Sequence, residues 1–357
     1  MIKFYSAYLN TVLFYKNIMK LNHLFTLVAT LLMFSCAEDP MVVPQDMEQE
    51  LEIETICDTE RYTSPIFEEL DSMTVMYAEK NQQTAHPNDL FMDVYMPAVG
   101  TDTLKKRPVM IWAFGGAFIA GDREQTHFLA RKSAKLGYVS ASIDYRILAS
   151  IFPLPDSTIM INTAVKAAAD MKAAIRHFKM SADLGNDMNI DPDQIYIGGL
   201  SAGALTALMA GAVDDSDIDN DFLRSVIDNN GGIAGNTGST ENQSYDYTVK
   251  GIVNLSGAVY KLDFLDPTDP PIFSVHGDAD EVVQYTVGMP NVLIPINFDL
   301  YGSKAMFDRC QEIGLKNDLV TVEGGGHTNI YSSAEYAQTR EEFFAQAYQF
   351  LKEQICK

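Results

Sequence analysis

The chain has 357 residues, 47% of them hydrophobic and 21% charged, a composition typical of a globular protein with one large α/β domain or two modest ones. The net charge is −22, and because residues 1–36 hold three lysines and no acid, the rest of the chain carries about −25. A surface with this charge repels phosphate backbones, which argues against a nucleic-acid-binding function.

The amino-terminal segment is predicted to direct the chain to the cell envelope. Residues 24–34 form a largely apolar run that is too short to span a bilayer and matches the core of a signal peptide. A serine and Cys36 follow, which resembles the lipobox of bacterial lipoproteins, although Met33 and Phe34 replace the usual leucine and small residue. We predict that residues 1–36 are a signal peptide with cleavage before Cys36 and lipidation of that cysteine. A plain secretory signal or a buried helix is the alternative.

The residues after Cys36 suggest where the anchored chain is sorted. Ala37, in place of aspartate, resembles lipoproteins of an outer membrane, and the acidic pair after it resembles the surface-export signals of some Gram-negative groups. We therefore expect a protein that is lipid-anchored to the cell envelope, at the outer membrane or the cell surface. Residues 37–60 are acidic and predict a flexible tether, and residues 61–357 are predicted to form the main folded domain.

The cysteines predict one disulfide in an oxidising compartment. With Cys36 lipidated, Cys57, Cys310 and Cys356 remain, so one disulfide and one free thiol is the simplest arrangement. The sequence leaves the pairing open.

Strands and helices alternate along the chain, which predicts a mostly parallel central sheet of about eight strands with helices on both faces. The first two strands alternate apolar and polar residues and predict an antiparallel hairpin. A polar turn is predicted over 183–193. The predicted strands are 72–78, 90–96, 109–114, 138–143, 195–198, 249–255, 271–275 and 318–322, and the predicted helices are 124–136, 158–180, 204–212, 303–314 and 333–351.

Two segments interrupt this alternation and are predicted as insertions at the rim of the active site. Residues 214–248 are first acidic and then rich in glycine, and residues 284–302 are partly aromatic. Substrate specificity is expected to depend on these two segments, which would form the walls of the substrate pocket. Phe114, Phe118 and two tyrosines, Tyr145 and Tyr260, are candidates for an acyl pocket.

The chain is organised around a tight turn between the strand that starts at Ile195 and the helix that starts at Ala204. The turn is Gly199-Leu-Ser201-Ala-Gly203, which fits a nucleophile elbow. Glycines on either side of the serine allow neighbouring backbone to pass close by. Ser201 is therefore the candidate nucleophile, and an ordinary Gly-Ser turn is the alternative.

The candidate base is His327, one of six histidines. It follows three glycines on a loop at the carboxyl end of the last strand, where a flexible segment can bring an imidazole to a serine hydroxyl. The orienting acid is expected at the end of the preceding strand. Asp280 is favoured because two valines after it can fix the loop, Asp278 is the rival, and Glu281 is a third candidate. The order Ser, Asp, His is that of an α/β-hydrolase.

An oxyanion hole needs two N–H donors directed at the same point. The amide of Ala202 is supplied by the elbow, and the second donor is expected from the loop after the central strand, at Gly115 or Gly116. A simple strand-to-helix turn is the alternative for the two glycines.

Four segments in this order resemble carboxylesterases and hormone-sensitive-lipase-like esterases over about residues 70–355. Residues 113–118 resemble the His-Gly-Gly-Gly-Phe segment of that family, and residues 144–146 resemble its Asp-Tyr-Arg stretch. Residues 191–203 lead into Gly-Leu-Ser-Ala-Gly as in the family, and residues 276–280 resemble its His-Gly-x-x-Asp loop. The resemblance implies an α/β-hydrolase fold and ester hydrolysis through an acyl-enzyme. Secreted members of the family include acetylxylan and feruloyl esterases.

The chain departs from the family at the oxyanion loop. Phe114 stands where the family has histidine, which removes a polar group that normally braces this loop. Ala117 replaces the third glycine, which limits the backbone N–H groups that can act as donors to the oxyanion.

The four alternate aspartates from Asp215 to Asp221 have a ligand-like spacing, but Asn220 and Val226 stand where an EF-hand requires glycine and glutamate. A solvated loop is the main interpretation, and a calcium site is the alternative. No histidine pair or cysteine cluster matches a zinc site. We expect neither a cofactor nor a metal.

The sequence thus predicts a serine esterase that acts on a small-molecule or polysaccharide-linked ester, with Ser201, Asp280 and His327 as its triad. A serine peptidase of the same fold and a non-catalytic binding protein are the alternatives. Peptidases of this fold usually carry a propeller or helical domain, and non-catalytic members usually lack a triad residue. The ester, its acyl length and the oligomeric state stay open.

Overall fold

The computed structural model describes residues 57, 59–79, 88–239, 241–294 and 296–357. The predicted signal peptide, the lipidation site Cys36 and nearly all of the predicted tether 37–60 lie outside these residues. No helix within them is both long enough and apolar enough to cross a membrane.

The described residues form a central sheet of eight strands and a small sheet of three. The central sheet has the order β1-β2-β4-β3-β5-β6-β8-β11, and the small sheet has the order β7-β10-β9. The strands are β1 Leu70–Ala78, β2 Leu90–Pro97, β3 Arg107–Ala113, β4 Val139–Ile143, β5 Ile190–Leu200, β6 Gly251–Leu255, β7 Ala258–Val259, β8 Ile272–Gly277, β9 Val287–Gly288, β10 Leu300–Gly302 and β11 Asn317–Val322.

The strand directions confirm the predicted mostly parallel sheet and its opening hairpin. β1 pairs with β2 and β2 pairs with β4 in antiparallel fashion, whereas β4, β3, β5, β6, β8 and β11 are parallel to one another. β3, β4, β6 and β8 are buried along their whole length, which explains their continuous apolar runs. Because the six strands from β4 to β11 in the sheet run in the same direction, their carboxyl ends meet at one edge of the sheet.

Helices cover both faces of the sheet, as predicted. Side chains alternate along β5, so that Ile195 and Ile197 pack into one core cluster and Tyr196 packs into another. Two helices, α2 and α3, contribute to the first cluster, and α1 and α7 contribute to the second. The helices are α1 His127–Lys135, α2 Ser157–Asp183, α3 Ala202–Gly211, α4 Asp221–Asp228, α5 Ser303–Ile313, α6 Asn329–Ser332 and α7 Ala337–Ile355.

Two predicted boundaries are wrong, and one helix was not predicted. β5 begins at Ile190 inside the predicted turn, because Ile190 is fully buried and the Asn186 side chain bonds its N–H and C=O groups. The predicted rim insertion 214–248 contains a helix that was not predicted, α4, whose N-cap is Asn220 and whose apolar face is buried. The closing helix starts four residues later than predicted, after the short α6.

The structure pairs Cys57 with Cys356 and leaves Cys310 as a buried free thiol. The bridge ties the start of the described domain to the end of α7 across a separation of 299 residues. Burial raises the pKa of the Cys310 thiol to about 12, so it is protonated at neutral pH.

Candidate active site

Ser201 lies on a sharp turn between β5 and α3. Its backbone has φ of 54° and ψ of −120°, a left-handed conformation that is strained for a residue with a Cβ. The strain is maintained by the close fit of the turn, in which Ser201 N–H donates to the Leu255 carbonyl at 2.8 Å. The predicted elbow geometry is therefore present.

The glycines on either side of the serine are required by close backbone approach. A Cβ on Gly199 would lie 2.3 Å from the Gly203 carbonyl, and a Cβ on Gly203 would lie 2.2 Å from the Ala113 carbonyl oxygen. Both distances are far below van der Waals contact. Any side chain at these positions would force β3, β5 and α3 apart.

His327 lies on the loop between β11 and α6 and reaches the elbow. Its Nε2 is 2.7 Å from Ser201 Oγ, and its Nδ1 is 2.7 Å from Asp280 Oδ2. The imidazole thus bridges the hydroxyl and the carboxylate, which are contributed by separate segments of the chain. The structure brings together the three residues that the sequence predicted as the triad.

Asp280 is buried at the end of β8, where four donors surround its carboxylate. Oδ1 accepts the N–H groups of Val282 at 2.8 Å and Val283 at 3.0 Å, and Oδ2 faces His327 and His276. Burial by itself would raise the pKa of this carboxyl, but the hydrogen bonds and the neighbouring imidazoles hold that pKa well below its usual range. Asp280 therefore stays ionised across the pH range in which an imidazole accepts protons.

The other two acid candidates lie elsewhere. Asp278 is exposed, and its Oδ1 accepts the N–H of Gly324 at 2.7 Å. Glu281 is also exposed, and among the described residues neither carboxylate is hydrogen-bonded to His327. Asp278 instead holds the loop that carries His327 between β11 and α6, which we call the base loop. A second hydrogen bond to this loop runs from Ala279 N–H to the Gly325 carbonyl at 2.9 Å.

The loop after β3 packs directly on the elbow and leaves N–H groups free. A Cβ on Gly115 would lie 3.3 Å from Ser201 Cβ. Gly116, Ala117 and Phe118 all have positive φ, and within the described chain the N–H groups of Gly116 and Ala117 donate to no protein atom. The N–H of Ala202, at the first turn of α3, is also without a protein acceptor in that part of the chain. Donors are therefore available on both sides of Ser201.

The expected loss of a brace at Phe114 is compensated by Tyr145. The two rings stack with centroids 4.1 Å apart, and the Tyr145 hydroxyl donates to the Phe114 carbonyl at 2.6 Å. A Cβ on Gly121 would lie 2.5 Å from the Phe114 ring, so the loop closes tightly over it. Both aromatic residues brace the loop, and neither lines the acyl-pocket candidate described below.

An apolar pocket lies beside the elbow. Its walls come from the oxyanion loop, α2, α3, α4, residues 258–264 and the predicted insertion 284–302. Leu205 and Met209 line it from α3, and they follow Ser201 at the i+4 and i+8 positions on the same helix face. Phe118 and Tyr260 line it as the sequence analysis suggested.

The aspartates from Asp215 to Asp221 bind separate partners rather than a common centre. Asp215 pairs with Arg224 at 2.6 Å, and Asp219 pairs with Lys261 at 2.5 Å. Asp217 accepts the Asp214 N–H at 2.8 Å. Within the described residues, no group of three or more histidine, cysteine or acidic side chains is arranged to hold a metal ion.

One residue of this site was not among the candidates that the sequence analysis assigned to the triad. His276 lies at the end of β8, and its Nε2 is 3.1 Å from Asp280 Oδ2. Its place at the start of the His-Gly-x-x-Asp segment, four residues before Asp280, was the available signal.

Comparisons with known proteins place this geometry in a recognised fold. The BD-FAE family model matches residues 92–262. A relative described as a probable isoprenylcysteine alpha-carbonyl methylesterase of Oryza sativa subsp. japonica is 26% identical over 276 residues, which cover 67% of this chain and 54% of that protein. The chain thus spans about half the length of this curated relative.

Two solved structures are similar over most of their length. The butyrate-bound esterase Est2 of Thermogutta terrifontis has a TM-score of 0.58 and 16% identity, covering 79% of this chain and 94% of that one. A truncated carbohydrate esterase from gut microbiota has a TM-score of 0.55 and 22% identity, covering 84% and 99%. The chain has the α/β-hydrolase fold.

Proposed function

We propose that this α/β-hydrolase chain is a serine hydrolase that cleaves carboxylic esters through an acyl-enzyme. One observation carries the proposal: Ser201, His327 and Asp280 form a continuous line of hydrogen bonds of 2.7 Å each, on an elbow flanked by free N–H groups. The similarity to proteins described as esterases supports esters over peptides as substrates.

The reaction follows from the directions of these bonds. His327 Nε2 accepts the Ser201 proton as Oγ attacks the ester carbonyl carbon, and Asp280 holds the Nδ1 proton so that Nε2 is the basic nitrogen. The oxyanion of the tetrahedral intermediate accepts from the N–H groups of Ala202 and of Gly116 in the glycine loop. His327 then gives its proton to the departing alcohol oxygen. A water molecule repeats both steps on the acyl-enzyme and releases the carboxylic acid.

Labelling with a fluorophosphonate probe tests the proposal without knowledge of the substrate. We expect one adduct on the intact chain, located at Ser201 by peptide mass spectrometry. A folded protein that carries no adduct at Ser201 would contradict the proposal and favour a non-catalytic binding protein.

We propose further that the apolar pocket beside α3 binds the acyl part of the ester. The pocket is lined almost entirely by aliphatic and aromatic side chains, so it suits an aliphatic or aromatic acyl chain better than a sugar. The alcohol part, which can be a small molecule or a polysaccharide, is then on the solvent side. This orientation accommodates both acetyl and feruloyl esters as candidates.

The pocket predicts a dependence on acyl length. Each buried CH2 contributes about 0.8 kcal/mol, so a butyrate ester is expected to exceed an acetate ester by roughly tenfold in kcat/KM. Leu205→Trp fills the pocket and is expected to remove this preference while p-nitrophenyl acetate is still cleaved.

The matched control is Leu184→Trp, the same substitution at a leucine that is 75% exposed at the end of α2. Initial rates on p-nitrophenyl esters of increasing length measure the effect. Identical length profiles for the two variants would rule out this pocket as the acyl site.

We also propose that the chain is anchored to the cell envelope by a lipid on Cys36. The apolar run 24–34 followed by a serine and a cysteine supports this, as does the acidic segment between Cys36 and the folded domain. The sorting signals after the cysteine make the outer membrane or the cell surface the proposed destination.

Cys36→Ala is expected to release the protein from membranes. The full chain, expressed in a bacterium that processes lipoproteins, should partition into the detergent phase of Triton X-114, and the variant should partition into the aqueous phase. Cys310→Ala is the control and should stay in the detergent phase. A wild-type chain found in the aqueous phase would contradict anchoring.

A further inference from the structure

His276 is a fully buried side chain that shares the Asp280 carboxylate with His327. Its Nε2 lies 3.1 Å from Asp280 Oδ2 and 3.0 Å from the Val283 carbonyl oxygen. The same Oδ2 atom lies 2.7 Å from His327 Nδ1. Two imidazoles therefore meet at one carboxylate oxygen.

The neighbours of His276 fix which of its nitrogens carries the proton. Both groups near Nε2 accept hydrogen bonds, so Nε2 must donate. On the other side of the ring, Nδ1 lies 2.7 Å from the Ser303 hydroxyl.

The Ser303 hydroxyl is itself oriented by Asn254. The N–H of Gly257 donates to Asn254 Oδ1 at 2.9 Å, which places the amide NH2 toward Ser303 Oγ at 3.0 Å. Ser303 Oγ accepts that bond, and among the described residues its only acceptor is His276 Nδ1. His276 is therefore held neutral, with its proton on Nε2.

Other titratable groups around this pair have partners of their own. The Tyr331 hydroxyl is 2.8 Å from Ser256 Oγ, and burial raises the pKa of Tyr331 above its usual range. Tyr285 packs its ring against His276 with centroids 5.7 Å apart and bonds Thr321 through its hydroxyl. Asp278 accepts from the base loop. None of these groups donates to Asp280 in the described structure.

We propose that His276 is a positioning residue that fixes the Asp280 carboxylate and shares its negative charge with His327. The inference rests on the proposed function, since it concerns the same triad. With His276 in place, Oδ2 is held by two donors and Oδ1 by two backbone N–H groups, so the carboxylate can neither rotate nor move away from His327.

Removing the N–H donor of His276 should shift the pH dependence of the reaction in one definite direction. The charge on Oδ2 would then be shared with fewer donors and would stabilise protonated His327 more strongly. The base would therefore stay protonated up to a higher pH, and the acid limb of the activity profile should move to higher pH. A side chain with a purely structural role would not shift this limb.

The experiment measures the rate at which the fluorophosphonate probe modifies Ser201 between pH 5 and 9, for the wild type, His276→Leu and His276→Gln. We expect His276→Leu to react about tenfold more slowly at its plateau and to show the shifted limb. His276→Gln retains an amide N–H that can reach Asp280. This variant should recover most of the plateau labelling rate and most of the wild-type position of the acid limb. Equal pH profiles for a folded His276→Leu variant and the wild type would overturn the inference.

Failure of the proposed function and failure of the inference about His276 would give different results. A wild-type chain that is not labelled at Ser201 contradicts the proposed function, whereas normal labelling with unshifted variants contradicts only the role of His276.

Long-range proton–nitrogen NMR spectra of the histidine-labelled wild type give a test that does not depend on variants folding. At pH 8 they should show His276 as the Nε2–H tautomer. The Nδ1–H tautomer would overturn the inference.

Discussion

Ser201→Ala is expected to reduce kcat for p-nitrophenyl acetate by about a million-fold, to the background rate. The substitution removes the Oγ atom that lies 2.7 Å from His327 Nε2 and changes little else. Alanine has a Cβ, as serine does, so the backbone strain at φ 54° is the same in both proteins. The initial rate of nitrophenol release, measured at several enzyme concentrations, checks the result.

The control is Ser72→Ala, at an exposed position of β1. It should keep full activity, and both variants should retain the wild-type melting temperature. A folded Ser201→Ala protein with wild-type activity would remove Ser201 as the nucleophile and with it the proposed mechanism.

Asp280→Asn is expected to lower kcat by about 10³-fold to 10⁴-fold. The N–H groups of Val282 and Val283 would keep the asparagine carbonyl at the Oδ1 position, so its NH2 group would face His327 Nδ1. That nitrogen would have to accept, and its proton would move to Nε2. His327 could then no longer take the proton of Ser201.

Asp278→Asn is the matched control, two residues away in the same loop. Its carbonyl oxygen can still accept the Gly324 N–H, so the base loop keeps its position and kcat should change by less than about threefold. The comparison uses kcat on the same ester at pH 8. A larger loss for Asp278→Asn than for Asp280→Asn would transfer the role of triad acid to Asp278.

The oxyanion loop shows how one departure from a family pattern can be compensated. Phe114 has no polar side-chain atom, yet its carbonyl is held by the Tyr145 hydroxyl and its ring is stacked on the Tyr145 ring. Tyr145 comes from the end of the neighbouring strand, β4. The contact is therefore long-range, and no local pattern around Phe114 predicts it.

Much of the fold and the triad was accessible from the sequence because it depends on local patterns. Apolar runs predicted the buried strands, and the Gly-x-Ser-x-Gly turn between a strand and a helix predicted the elbow. The rule that parallel strands end at one edge placed His327 near Ser201 without any measured distance. Boundaries such as the start of β5 at Ile190 depended on side-chain caps and were missed.

The sequence by itself determined the α/β alternation, the strained serine and the order of the three candidate residues, because each is encoded within a few neighbouring positions. Only the tertiary structure decided between Asp278 and Asp280, paired Cys57 with Cys356, and brought His276 to the shared carboxylate. These outcomes depend on the direction in which a loop turns and on which distant segments meet. Periodicity and spacing carry no information about either.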